Sequence, residues 1–133
     1  MKIEDHLRNI KESLDDIKES IQKGLVERQR SIGFHTSVAA TEMLEVFLHK
    51  NNLINPGIVL KHESFNSIKK AKDKLNFDFE EKEEILKLLN EIEIKRNQLC
   101  YGKKQPIELI ESVVSSFNKT KTLFEKLGLK WNE

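Results

Sequence analysis

Ile3-Glu4-Asp5-His6-Leu7-Arg8-Asn9-Ile10-Lys11-Glu12-Ser13-Leu14-Asp15-Asp16-Ile17-Lys18-Glu19-Ser20-Ile21 opens the chain with six apolar residues whose spacings run four, three, four, three, four. That rhythm matches a helix of 3.6 residues per turn and lays a narrow greasy seam along one face. A seam needs partners, and the rest of the chain supplies them in the same idiom. Beyond Gly24 a second helix is expected from about Leu25 to Lys50, with Ile32, Ala39, Met43 and Val46 in one stripe, Phe47 beside it, and Ala39-Ala40 permitting close helix approach. Asn51-Asn52 and Asn55-Pro56-Gly57 read as a break and a turn. A short helix is predicted from about Glu63 to Leu75, presenting Phe65, Ile68, Ala71 and Leu75. Asp78-Phe79-Glu80-Glu81 has the form of a capping box, which would start a fourth helix at about Phe79 and run it to Leu99 or Tyr101. Gly102 suits a left-handed stop and Pro106 the first turn of a last helix, with Ile110, Val113, Val114, Phe117, Phe124 and Leu127 on its buried face and Gly128 at its end.

The expected fold is therefore all-α: an antiparallel up-down bundle of four longer helices and one short one, a single domain over residues 1–127 followed by a tail, 128–133, whose Trp131 is free to pack back. Composition agrees. The 133 residues are 38% hydrophobic and include only five Gly and two Pro, enough for one core and poor in turns. Lys and Arg number 23 against 22 Asp and Glu, a net charge of +1 that argues against a bulk polyanion binder but leaves room for local basic patches. A lone cysteine, Cys100, excludes an internal disulfide framework and is too little soft ligand for a structural zinc site, which suits a reducing compartment. The N-terminus lacks the apolar run of a signal peptide and no stretch approaches membrane-spanning length, so a cytoplasmic location and no membrane association are expected.

One segment breaks the pattern. In Lys95-Arg96-Asn97-Gln98-Leu99-Cys100-Tyr101-Gly102, the helical reading puts Leu89, Ile92 and Leu99 within about 40° of the Ile85 direction, and Arg96 falls in their midst. A cation there either escapes to solvent or is held inward to meet a negative partner such as a phosphate. Ile94 and Tyr101 lie on the opposite side of the same helix, which fits either packing within the bundle or a homodimer seam.

Arg96-Asn97-x-x-x-Tyr101, followed by Gly102, resembles the signature of the HEPN superfamily, prokaryotic all-helical proteins with an Arg-polar-spacer-His motif late in the domain. The resemblance implies a commonly dimeric helical bundle in which two motif copies meet near the interface. It also implies RNA as ligand, metal-independent endoribonuclease chemistry without cofactor, and a toxin-like role beside a nucleotidyltransferase antitoxin. Arg96 then matches the arginine that holds the scissile phosphate, and Asn97 the adjacent polar residue. The family's histidine is replaced: Tyr101 stands near its position and no histidine follows His62. A phenol with a reference pKa of about 10 is a poor base at neutral pH, where an imidazole near 6.5 serves. The resemblance thus implies a weak or degenerate nuclease, or a non-catalytic interaction module. Arg96 and Tyr101 are five residues apart, about 140° around a continuous helix, so they converge only if the helix ends before Tyr101 or across a dimer.

Arg30-Ser31-Ile32-Gly33-Phe34-His35 also fits the motif's spacing, and Arg28 to His35 is a further match, but both fall in the second helix, where accident is the simpler reading. His35, Glu42 and His49 recur every seven residues beside the apolar stripe, so His35 is the best substitute base if it approaches Arg96. The four histidines, His6, His35, His49 and His62, include no i, i+4 pair and HExxH is absent, so no metal site is expected. His62-Glu63 reads as a helix start, and Cys100 as a small buried side chain. Lys95, Lys103 and Lys104 would extend a phosphate-backbone site if they lie near Arg96, while Lys69-Lys70-Ala71-Lys72 reads as a solvated face. No P-loop or GxGxxG is present.

Overall fold

In the structure, a computed structural model that describes residues 1–131, every regular element is helical. The order is α1 (Ile3–Lys23), α2 (Gln29–Lys50), a 3₁₀ turn (His62–Phe65), α3 (Ile68–Lys74), α4 (Lys82–Cys100) and α5 (Ile107–Lys126). Helix α2 is the hub, touching α1, α4, α5 and the 3₁₀ turn, while α4 and α5 pack on each other. A helix so surrounded keeps little solvent face, with Arg30, Phe34 and Lys50 exposed, and its buried residues include Glu45, Gln29, Thr36, Ser37 and Thr41 as well as its predicted stripe. The seam of α1 reaches the core through Leu7, Ile10 and Ile17, but Ile21 is left 41% exposed. Among the described residues no helix is long and apolar enough to cross a membrane.

Four boundaries differ from expectation. Helix α2 starts at Gln29, because Leu25–Arg28 form a turn closed by the Arg28 amide donating to Gly24 O at 3.0 Å. The predicted helix over 63–75 is two pieces: Ser67 is extended and its Oγ accepts from the Lys70 amide at 3.0 Å, so it caps α3 and interrupts the run. Ile68, the first residue after that cap, is 40% exposed rather than buried. Asp78 does not cap α4, which begins at Lys82 after a left-handed Glu81 at φ 63°. There Phe79 stacks near Phe47 and Phe77, at 6.2 and 5.9 Å between ring centres, and Lys82 Nζ donates to Phe77 O at 2.8 Å. That aromatic anchor delays the helix by one turn. Packing also continues past residue 127: Leu129 and Trp131 are buried, with the indole edge-on to Phe124 at 6.4 Å. Asn132 and Glu133 of the predicted tail lie outside the described residues.

A smaller cluster of Ile32, Leu99, Ile110 and Val113, joined by Leu25 and Val26, sits beside the main core. It joins the start of α2 to the end of α4, where the anomalous arginine lies.

Candidate functional site

The last turn of α4 reaches α2 at a single permissive residue. A methyl group added to Gly33 would stand 2.8 Å from Leu99 Cβ and 3.2 Å from Cys100 Sγ, so only a glycine lets the two helices approach this closely. A buried glutamine holds the segment that follows. Gln29, 2% exposed, donates through Nε2 to Leu99 O and Lys103 O, each at 3.2 Å, and accepts from the Gln105 amide at 2.8 Å. One side chain thereby ties the end of α4 and the connection to α5 onto the first turn of α2.

This contact shapes a cavity of about 510 Å³ lined by Arg30, Ser31, Phe34 and His35 of α2, by Arg96 and Cys100 of α4, and by Tyr101. Arg96 is held inward, 8% exposed, with its guanidinium carbon 6.0 Å from the centre of the Phe34 ring and its buried Nε without a hydrogen-bond partner. The lining holds two guanidiniums and no carboxylate. A cation left unpaired in such a place favours an incoming anion, and planar guanidinium forks suit phosphate oxygens. The same two cations act on Cys100: burial pushes its thiol up, and Arg96 and Arg30 only partly oppose this.

Helix α4 ends at Cys100 and Tyr101 is extended at φ −125°, ψ 140°, so the phenol, 65% exposed, borders the same cavity as Arg96. His35 shares the cavity too, but its Nδ1 lies 3.1 Å from Ser13 Oγ and its Nε2 3.4 Å from Asp16 Oδ1, both on α1. Asn97 and Lys95 are not among the lining residues, nor are Lys103 and Lys104. Lys104 Nζ is committed to the Val26 and Glu27 carbonyls at 2.9 and 3.3 Å. Arg30, Ser31, Phe34 and His35, set aside in the sequence as accidental spacing, are the residues that α2 contributes to the cavity. Ile94 is 50% exposed.

Acid and imidazole groups gather a second time, inside the fold. His6 of α1 reaches Glu42 and Glu45 of α2: its Nδ1 is 3.1 Å from Glu42 Oε2 and its Nε2 3.0 Å from Glu45 Oε2. Burial works against a charged imidazole at His6, but the two carboxylates outweigh it and hold the pKa up at about 9. His49 Nε2 lies 3.9 Å from Glu45 Oε1. Nearby, buried Glu93 takes His62 Nδ1 at 2.9 Å and the Ser37 hydroxyl at 3.3 Å, while His62 Nε2 lies 3.4 Å from Glu63 Oε1. The absence of a His–His pair at i, i+4 does not describe how these side chains gather. That spacing concerns histidines alone, whereas His6, Glu45 and His49 bring one donor atom each within 4.8 Å of one another. The i, i+4 pair Glu45/His49 was the available signal; the arrival of His6 from α1 was not.

No family model, curated protein or solved structure matches the chain.

Proposed function

We propose that this chain is a HEPN-like antiparallel helical module that binds single-stranded RNA by seating a backbone phosphate in the Arg96 cavity, with endoribonuclease activity weak or lost. What carries the reading is Arg96 itself: buried, over an aromatic ring, with Nε unpaired, in a cavity that holds a second arginine and no acid. Arg96 and Arg30 would grip the phosphate oxygens, Phe34 and Tyr101 offer faces for a base, and Lys95, Asn97 and Lys103 extend the contact along the strand. Cleavage at such a site would be attack of the 2′-hydroxyl oxygen on the adjacent phosphorus, with the P–O5′ bond breaking to leave a cyclic phosphate and a 5′-hydroxyl. Arg96 would stabilise the added negative charge. His35, the one imidazole in the lining, would take the 2′-hydroxyl proton, but its nitrogens face Ser13 and Asp16, which favours binding over catalysis.

Gel-shift and cleavage assays on wild type and Arg96→Ala, with circular dichroism as the folding control, test this reading. Loss of RNA binding in a folded variant supports it. Equal binding by the variant, or no wild-type affinity at modest salt, overturns it.

A second reading rests on the exposure of Ile94 and Tyr101, at 50% and 65%. In it the chain is a homodimeric interaction module that docks a nucleotidyltransferase-like partner through this face.

A further inference from the structure

We propose that His6, Glu45 and His49 form a binding site for one divalent transition-metal ion of the zinc class, separate from the Arg96 cavity and independent of the RNA reading. Donor spacing is the first observation. A tetrahedral ion held about 2.1 Å from each ligand needs donor atoms about 3.4 Å apart. Glu45 Oε2 is 3.0 Å from His6 Nε2, and Glu45 Oε1 is 3.9 Å from His49 Nε2, so small side-chain adjustments admit the ion.

Unsatisfied donors are the second. Among the described residues the buried Nε2 of His49 has no hydrogen-bond partner and lies 3.9 Å from Glu45 Oε1, while the buried Nε2 of His6 stands in ion-pair contact with Glu45 Oε2 at 3.0 Å without hydrogen-bond alignment. His6 as a whole is 1% exposed. Buried polar atoms rarely stay orphaned, and two imidazole nitrogens gathered on one carboxylate, one of them beyond bonding range, is the arrangement a metal would complete.

The third observation is the outer layer of contacts, which is already in place. Metal-bound imidazoles usually engage a carboxylate through the other ring nitrogen, and ligating carboxylates are themselves hydrogen-bonded. His6 Nδ1 engages Glu42 at 3.1 Å, which turns Nε2 to the cluster, and Glu45 Oε1 accepts the Leu60 amide at 2.9 Å. Metal binding displaces the imidazole proton of His6, and with both imidazoles neutral the two carboxylates leave the cluster two charges negative, matching a dication. A His₂Glu set leaves the fourth position to water, and His6 and Glu45 also line a cavity of about 240 Å³ from which water could come. The mixed nitrogen and oxygen donors exclude a preference for magnesium or calcium.

The test uses the full chain, stripped with chelator and titrated with Zn²⁺ and separately with Co²⁺. One equivalent of zinc is expected to bind and raise the melting temperature, and Co²⁺ is expected to develop the ligand-field absorption of a low-coordinate site. Glu42→Gln should weaken uptake by about 10–100-fold, and His49→Gln should weaken it further. His62→Asn, outside the donor set, should leave it unchanged. A wild-type chain without cobalt bands or zinc stabilisation overturns the site, as does uptake that survives in folded His49→Gln or is lost in His62→Asn. If His49→Gln does not fold, NMR of the wild-type imidazoles decides: zinc must perturb Nε2 of His6 and of His49, and unperturbed signals refute the assignment.

Discussion

The guanidinium of Arg96 lies beneath the ring of Phe34, 6.0 Å from its centre, and that ring is 45% exposed while the arginine is 8% exposed. A half-exposed aromatic ring thus lines the same cavity as the buried cation, an arrangement in which a phosphate and its neighbouring base can be held together. Phe34→Ala is expected to weaken RNA binding by about tenfold, since stacking contributes about 1–3 kcal/mol per base. Its melting temperature should hardly move, because so exposed a ring adds little to the core. Fluorescence polarisation with labelled single-stranded RNA and thermal melts check both halves, and unchanged affinity removes the stacking role.

Charge and shape at Arg96 separate cleanly. Arg96→Lys keeps the cation but loses the planar fork, so affinity should fall by about tenfold or more while the salt dependence stays as in wild type. Arg96→Ala should also lower the slope of log affinity against log salt by about 0.7, the share of one phosphate contact on a single strand. Identical slopes for wild type and alanine would mean that Arg96 meets no phosphate.

Gln29 makes three hydrogen bonds that tie the connection between α4 and α5 to the start of α2. Gln29→Leu roughly preserves volume but strands the Leu99 carbonyl and the Gln105 amide and leaves Lys103 O only the Gln105 Nε2 contact at 3.5 Å, a loss of about 1–3 kcal/mol in chemical denaturation. Hydrogen exchange should accelerate in residues 101–106 and remain as in wild type in α1. Protection unchanged in that connection would show that Gln29 does not hold it.

How much of this could be read from residues alone follows from the range of the interactions. The helices were legible because apolar spacing is local, and Ile10, Met43, Ile85 and Phe117 are all buried as their stripes require. Helix starts were less so: a capping pattern at Asp78 lost to the packing of Phe79 on Phe47, a contact between residues 32 apart that no local motif encodes. Arg96 stood out as a cation among apolar neighbours, yet its company did not. The Arg30 to His35 segment matched the motif's spacing and was discounted for its helix, because nothing in the sequence says that Gly33 would let α4 settle against that face. Glu45 and His49 shared a helix face in plain view, but only the docking of α1 on α2 brings His6 to them.

Cys100 reports on the cavity without any substitution. Burial raises its thiol pKa, against the pull of Arg96 and Arg30, so the protonated form dominates at neutral pH and iodoacetamide should react more slowly than with a free cysteine. The rate should climb only as pH rises through the alkaline range. Bound RNA would cover the thiol and neutralise the two cations that favour thiolate, so it should slow alkylation further. Mass spectrometry of labelling time courses with and without RNA checks this, and equal rates would place the RNA elsewhere.

Ile94 tests whether the exposed side of α4 is a seam between two copies of the chain. The side chain is 50% exposed in the single chain, and Tyr101 leaves the helix just beyond it to border the Arg96 cavity, so a partner seated on Ile94 would bring two cavities close together. Wild type is expected to sediment as a dimer at micromolar concentration and Ile94→Glu as a monomer, because burying a carboxylate against an apolar partner without a counter-charge opposes association. The monomer itself should keep its helix content, since a surface substitution usually changes stability by no more than about 0.5 kcal/mol. RNA affinity should then fall with the loss of the second cavity, by mass action between two sites on one strand. A wild-type chain that sediments as a monomer throughout this range would exclude the seam while leaving the Arg96 cavity to be judged by its own variants.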